Sequence, residues 1–118
     1  MKEKEIENQI LNWLMFVPDS LFFKNQSVGI FDPIKRVYRK NTNRHHINGT
    51  SDILGVCKGR FIAIEVKAKR GKPTENQTRF IDRVNNHGGL AFIARSIDEV
   101  KDRLIKEKLY DRKNQTAH

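Results

Sequence analysis

The segment DILGVCKGRFIAIEVK begins on one carboxylate, Asp52. It ends on a second, Glu65, followed two positions later by Lys67. Its middle, Lys58-Gly59, has the composition of a two-residue hairpin turn between apolar strands. With that turn Cys57 faces Arg60, and counting outward sets Asp52 opposite Glu65. A four-residue loop about the same centre keeps this register, whereas a three-residue loop breaks it. Directly opposed side chains stand about 5 Å apart on one sheet face. Lys67 shares that face because strand side chains alternate, and Ile62, Ile64 and Val66 point to the opposite face, into the core. Two carboxylates this close repel unless positive charge lies between them. A hard divalent cation such as Mg²⁺ or Mn²⁺ suits the place, because it takes oxygen ligands and leaves positions for water and phosphate oxygens. Lys67 beside it could orient an attacking water or stabilise charge on a phosphate. The chemistry implied is hydrolysis of a phosphate ester. An E-x-K triplet is also common as a solvent-facing ion pair, so on its own it is a weak signal.

The elements that must hold these groups follow from periodicity. Ile6, Ile10, Leu11, Trp13 and Leu14 recur at helical spacing over residues 3–16, and Pro18 ends that helix. LFFKNQ, Leu21 to Gln26, is a short strand. Residues 27–50 read as a long loop, with room for a hairpin around Val37 and Tyr38; loops of this length are usually functional. After the Lys58-Gly59 hairpin and the turn RGKP comes a helix, TENQTRFIDRVNNH, with Phe80, Ile81 and Val84 as its apolar stripe. Gly88-Gly89 stops it. LAFIA is a buried strand, and SIDEVKDRLIKEKLY is a last helix opened by Ser96 as N-cap. The expected class is α/β. It is a mixed sheet flanked by helices in the order α-β-β-β-α-β-α. One domain over residues 1–110 and a frayed tail over 111–118 complete the organisation.

With 23 Lys and Arg against 14 Asp and Glu, the 118-residue chain carries +9. That excess points to a polyanionic partner, nucleic acid before an anionic membrane surface. Cys57 is the single cysteine, so no disulfide can form within the chain, and its apolar neighbours suit a buried structural thiol. The charged N-terminus and the absence of any long apolar run give the expectation of a cytoplasmic protein, in host cytoplasm if phage-encoded. The sequon at Asn114 to Thr116 then carries no meaning.

Four stretches occur in order: GTSDILG (Gly49 to Gly55), IEVK (Ile64 to Lys67), GKPTENQTRFI (Gly71 to Ile81) and GGLAFIARSIDEV (Gly88 to Val100). Together they closely resemble the VRR-NUC nucleases, the virus-type replication and repair branch of the PD-(D/E)XK superfamily. The likeness spans about residues 3 to 105. Where the family's first motif often has Pro, this chain has Ser51. The resemblance implies that Asp52 and Glu65 are metal-binding acids, that the Val66 carbonyl is a further ligand, and that Lys67 is the catalytic lysine. Gln77 matches the glutamine that the family places near the active site. It also completes a T-x-x-Q capping box with Thr74. The resemblance also implies a restriction-endonuclease-like core. The family uses an acid from its first helix as a further catalytic and metal-binding group; of Glu3, Glu5 and Glu7, Glu7 is the candidate because it lies on the apolar stripe and faces inward, with Glu3 one turn earlier. Acids near a helix N-terminus are also favourable without any catalytic role.

The implied activity is a Mg²⁺- or Mn²⁺-dependent DNA endonuclease acting on branched DNA such as Holliday junctions or flaps, as a homodimer. The apolar VGIFDPI, Val28 to Ile34, could form part of the dimer interface. The competing readings are a non-catalytic nucleic-acid-binding module of the same fold and a restriction-type endonuclease. Arg36, Arg39, Lys40 and Arg44, with Lys69, Arg70 and Lys72 past the active strand, are the expected DNA-binding residues. His45 and His46 sit among the first four and read as part of a phosphate-contacting loop rather than as metal ligands. Trp13 reads as core rather than as a base-stacking platform.

Overall fold

Helix α1 (Glu3–Leu14) places Ile6, Ile10 and Leu14 on one buried line, four residues apart, with Glu7 buried beside them. Pro18 lies just beyond its end and cannot continue it. The computed structural model describes residues 1–26, 30–39 and 44–113, the side chains of 30–32 and 37–39 excepted. Lys40, Val28 and Gly29 of VGIFDPI, and the Asn114–Thr116 sequon lie outside the described residues.

Strand β1 (Ser20–Lys24) is followed by a small separate hairpin, β2 (Ile30–Asp32) and β3 (Val37–Arg39), in which Phe31 pairs with Tyr38. This is the hairpin that the 27–50 stretch had room for. Strands β4 (Ile53–Cys57) and β5 (Arg60–Val66) are antiparallel, with Cys57 opposite Arg60 and Ile53 opposite Ile64. Lys58 (φ 50°) and Gly59 (φ 79°) both take left-handed backbone at the turn, as a two-residue type I′ connection requires. Helix α2 (Glu75–Asn86) carries the chain to β6 (Leu90–Ala94), which runs parallel to β5. The sheet order is β1-β4-β5-β6. The mixed sheet with three helices is the architecture expected, and its element order is the expected one with the β2–β3 hairpin inserted.

The sheet is covered unequally. On one face α1 and α3 (Ile97–Lys106) bury Ile53, Ile62, Ile64, Val66, Val100 and Leu104. Each such side chain contributes about 1.5–3 kcal/mol on leaving water. On the other face Phe80 of α2 packs on Ala63 and Ala91, with Leu54, Ile81 and Val84 around them. Strand β5 is therefore covered on both sides, and Glu65 near its end is 1% exposed.

Two boundaries carry information. The last helix ends at Lys106, not at Tyr110 as the pattern suggests. Lys108 turns the backbone at φ 59°, and the amides of Leu109 and Tyr110 both donate to the Leu104 carbonyl. That turn drives Leu109 and Tyr110 into the core, where Tyr110 meets Trp13 edge-on at 5.0 Å. Trp13 is thus a packing residue, as expected. Cys57 is fully buried and its Sγ donates to the Leu109 carbonyl at 3.5 Å. Burial pushes the thiol's pKa above its ordinary value, which suits a structural role.

Candidate active site

Asp52 stands one residue before β4, at the next step of the register that pairs Ile53 with Ile64. Its Oδ2 accepts the Val66 backbone N–H at 2.9 Å, and its own carbonyl accepts the Asn25 N–H at 2.7 Å. The carboxylate is thereby fixed across the hairpin against the strand that carries Glu65. The approach to Asp52 is fixed from the other side. Gly49, at φ 80°, lies so close to the start of α2 that any Cβ there would collide with the Asn76–Gln77 backbone. The loop before Asp52 and the helix bearing Gln77 are therefore in direct backbone contact.

Glu65 sits beside Asp52, and Lys67 Nζ lies 3.7 Å from Glu65 Oε1 and 4.0 Å from Glu3 Oε1. Desolvation pushes the Glu65 carboxyl up to a pKa of about 8; the neighbouring Asp52 charge adds to the rise and Lys67 opposes it. Glu65 Oε2 and Ser51 Oγ are both buried without a hydrogen-bond partner among the described residues. An orphaned buried carboxylate oxygen costs about 1–3 kcal/mol or more. A proton shared with Asp52 meets this need without a cation, and a cation bound between the two carboxylates would meet it in its place.

Asp52, Glu65 and Lys67 line one cleft of about 500 Å³, which also takes in Glu3, Lys4, Glu7, Lys24, Val66 and Gln77. Glu7 faces inward, and its Oε2 is paired with Lys24 Nζ at 3.2 Å. Gln77 accepts the Thr74 N–H through Oε1 at 2.8 Å, while its own N–H donates to Thr74 Oγ1. The capping box is thus formed, and the same glutamine reaches the cleft.

A family model for the VRR-NUC domain matches residues 3–98. The chain belongs to the VRR-NUC family. A solved structure described as a VRR_NUC domain protein has the same fold: it covers 94% of this chain and 92% of its own at 21% identity, with a TM-score of 0.64. No curated protein matches the chain. The family is one of nucleases, so this VRR-NUC domain is of the nuclease type.

Asp52, Glu65, Val66, Lys67, Gln77 and Glu7, the site residues expected from the sequence, all line the one cleft of this VRR-NUC domain. Among the described residues no third His, Cys, Asp or Glu joins Asp52 and Glu65 in a cluster shaped for a metal. Two carboxylates with open positions still fit a hard cation such as Mg²⁺, which keeps several waters and binds through one or two carboxylates plus phosphate oxygens. The DNA-binding candidates are more scattered. Lys69, Arg70 and Lys72 are on the loop after β5, Arg36 is exposed in the β2–β3 turn at φ 54°, and Arg44 is exposed with its Nε donating to His45 at 3.3 Å. Arg39 lies in β3 and its side chain is outside the described residues.

Two features of the site escape the sequence reading. Lys24 and Lys4 bring ammonium groups to the cleft. Alternation along β1 places Lys24 on the face of Phe22, which packs towards α1; that was the available signal. The second feature is Arg95, just past β6. Its Nη1 donates to the carbonyls of Ala68 and Gly71, both at 2.6 Å, and to that of Lys69 at 3.4 Å. One guanidinium gathers the carbonyls of the loop that follows Lys67. Arg95→Ala should lose about 3 kcal/mol, from two short charge-assisted bonds at about 1.5 kcal/mol each. Thermal melting should show a drop of roughly 10 °C, with faster hydrogen exchange confined at first to residues 68–71. An unchanged melt would mean that the loop holds itself.

Proposed function

We propose that this VRR-NUC domain is a divalent-cation-dependent endonuclease that hydrolyses phosphodiester bonds in DNA. The supporting observation is the convergence of Asp52, Glu65 and Lys67 in one cleft, with Glu65 Oε2 orphaned among the described residues. Asp52, Glu65 and the Val66 carbonyl would hold Mg²⁺ or Mn²⁺. The cation, when bound, supplies Lewis-acid chemistry: it lowers the pKa of water and neutralises charge on the phosphate.

The chain's own groups divide the remaining work. Lys67, 13% exposed and beside Glu65, supplies a fixed positive charge where negative charge grows on the phosphorane-like transition state. Lys4 and Lys24, on the rim of the same cleft, would attract and orient the DNA backbone. Gln77 is held at the helix start by its capping box, where it would position a water or a phosphate oxygen. Glu7 would orient water in the cation's outer shell. Its burial and its Lys24 partner distinguish it from Glu3, whose side chain is half exposed. Glu7→Gln should therefore lower the cleavage rate by about 10²-fold, at the low end of what positioned acid–base groups contribute. Glu3→Gln should change it by less. Initial-rate measurements on the two variants separate them, and the reverse order would transfer the role to Glu3.

Branched DNA is the proposed substrate and a homodimer the proposed form. A two-fold dimer can make paired cuts across a junction. Exposed Leu21 and Phe23 share one face of the edge strand β1, which favours self-association at that edge. The DNA-binding residues named above would contribute salt-dependent, sequence-tolerant affinity. The testing experiment incubates a labelled four-way junction and its matching linear duplex with the pure protein, in Mg²⁺ and in EDTA. Cation-dependent cuts paired about the junction centre are expected. Equal cutting of both DNAs would remove the branched-substrate reading, and no cutting of either would remove the nuclease reading for this chain.

A further inference from the structure

A second groove runs along one flank of α2, between the helix, Phe61 of β5 and the loop bearing Ile47. One end is apolar, a cavity of about 350 Å³ walled by Ile47, Phe61, Phe80 and Val84. The other end is cationic, a cavity of about 360 Å³ lined by Arg44, Arg79 and Arg83 among others. Ile47, Phe80 and Arg83 line both, so the two cavities adjoin along α2. No acidic side chain lines either end among the described residues. Arg79 does hold an exposed ion pair with Glu75 at 3.1 Å, a contact that contributes little in water and can be exchanged for a phosphate.

The groove is oriented by the helix. Asn76, Arg79, Phe80 and Arg83 form one stripe of α2 at positions three and four apart. The stripe starts one residue before Gln77, which lines the cleft of Asp52 and Glu65. From Asn76 to Arg83 it runs about 10 Å along the helix axis. At its far side the Phe61 ring stands 44% exposed on the sheet. It is a large aromatic side chain left open in the cavity that also takes in Arg83.

An apolar slot with an aromatic wall, next to several guanidiniums and with no acid among its described lining residues, matches one repeating chemistry: a nucleobase followed by a phosphate. We propose that this groove is a single-strand subsite, in which Phe61 stacks one unpaired nucleobase while Arg79 and Arg83 hold the adjoining phosphates. The inference rests on the nuclease reading, since it supplies a path for the strand that leaves the cleft past Gln77. It would make an unpaired strand beside the cut a recognised feature rather than a tolerated one.

The test is binding in EDTA, so that cleavage plays no part. Fluorescent oligothymidylate and a blunt hairpin duplex with the same number of phosphates are titrated with wild type, Phe61→Leu and Arg83→Gln. Leucine keeps the apolar packing against α2 but removes the aromatic face. Phe61→Leu should weaken oligothymidylate binding by about tenfold, the scale of one lost base–aromatic stack, and change duplex binding by less than about twofold. An abasic strand of equal charge should bind wild type and Phe61→Leu alike. Arg83→Gln should weaken single-strand binding and lower the magnitude of its salt slope by about one. The proposal is overturned if Phe61→Leu leaves single-strand binding unchanged or weakens both DNAs equally. It is also overturned if sedimentation shows that the variant acts by dissolving a dimer that buries Phe61. Loss of the nuclease reading would appear separately, as wild-type protein that binds these strands yet cuts nothing in Mg²⁺.

Discussion

Asp52→Asn, Glu65→Gln and Lys67→Ala are each expected to lower DNA cleavage by on the order of 10³-fold or more, while the fold survives. The survival has a physical basis at each position. Without a cation the Glu65 carboxyl, pushed up to about 8, is mostly protonated at neutral pH. Glutamine is close to an isostere of that neutral form. In Asp52→Asn the side-chain amide retains an oxygen for the Val66 N–H that Asp52 Oδ2 accepts. Lys67 Nζ stands 3.7 Å from Glu65 and 4.0 Å from Glu3, both longer than a close hydrogen bond. Lys67→Ala should differ from the other two in one respect: an ammonium is not a ligand, so cation binding should be largely retained while cleavage is lost. Circular dichroism, cation titration and single-turnover rates measured on all three variants check this. A folded variant with near-wild-type activity would remove its residue from the mechanism.

The second large effect is the coupling between pH, stability and cation binding. Glu65 has a folded-state pKa of about 8 against an ordinary 4.5. The folded state therefore binds more protons than the unfolded state between these values, and stability must fall as pH rises through the window. The contribution is complete below about 4.5 and lost as pH passes about 8. Its size is on the order of several kcal/mol. In EDTA the melting temperature should accordingly decline from pH 5 to pH 8 by more in wild type than in Glu65→Gln. Because a ligand carboxylate must lose its proton, apparent Mn²⁺ affinity should rise by up to about tenfold per pH unit below 8 and level off above it. Calorimetric titrations across this range would show the trend. Affinity independent of pH, or equal pH sensitivity in Glu65→Gln, would mean that Glu65 is not the titrating ligand.

What could be read from the sequence follows from how local each determinant is. The Asp52–Glu65 juxtaposition depends only on the Lys58-Gly59 turn and on strand alternation. Both are short-range, and the ladder ending at Ile53 and Ile64 preserves the count. The capping box at Thr74 and Gln77, the Ser96 N-cap and the inward face of Glu7 are equally local. The Glu7–Lys24 pair was not legible, because it depends on α1 lying across β1. The Arg95 clamp joins residues 24 to 27 positions apart through backbone carbonyls, which leave no mark on side-chain pattern. The end of the last helix was misplaced because Leu109 and Tyr110 continue an apolar pattern, whereas a left-handed Lys108 folds them back onto the core. The groove beside α2 draws on Ile47, Phe61 and Phe80 from three separate segments, and no periodicity connects them.

The central claim is that Asp52, Glu65 and Lys67 make one cation-dependent site for phosphodiester hydrolysis. Its most direct test follows supercoiled plasmid on a gel with wild type and with Glu65→Gln, each in Mg²⁺ and in EDTA. Wild type should nick and linearise the plasmid in Mg²⁺ and leave it intact in EDTA, and Glu65→Gln should leave it intact in both. Cleavage that persists in EDTA, or that a folded Glu65→Gln protein performs at the wild-type rate, would contradict the claim.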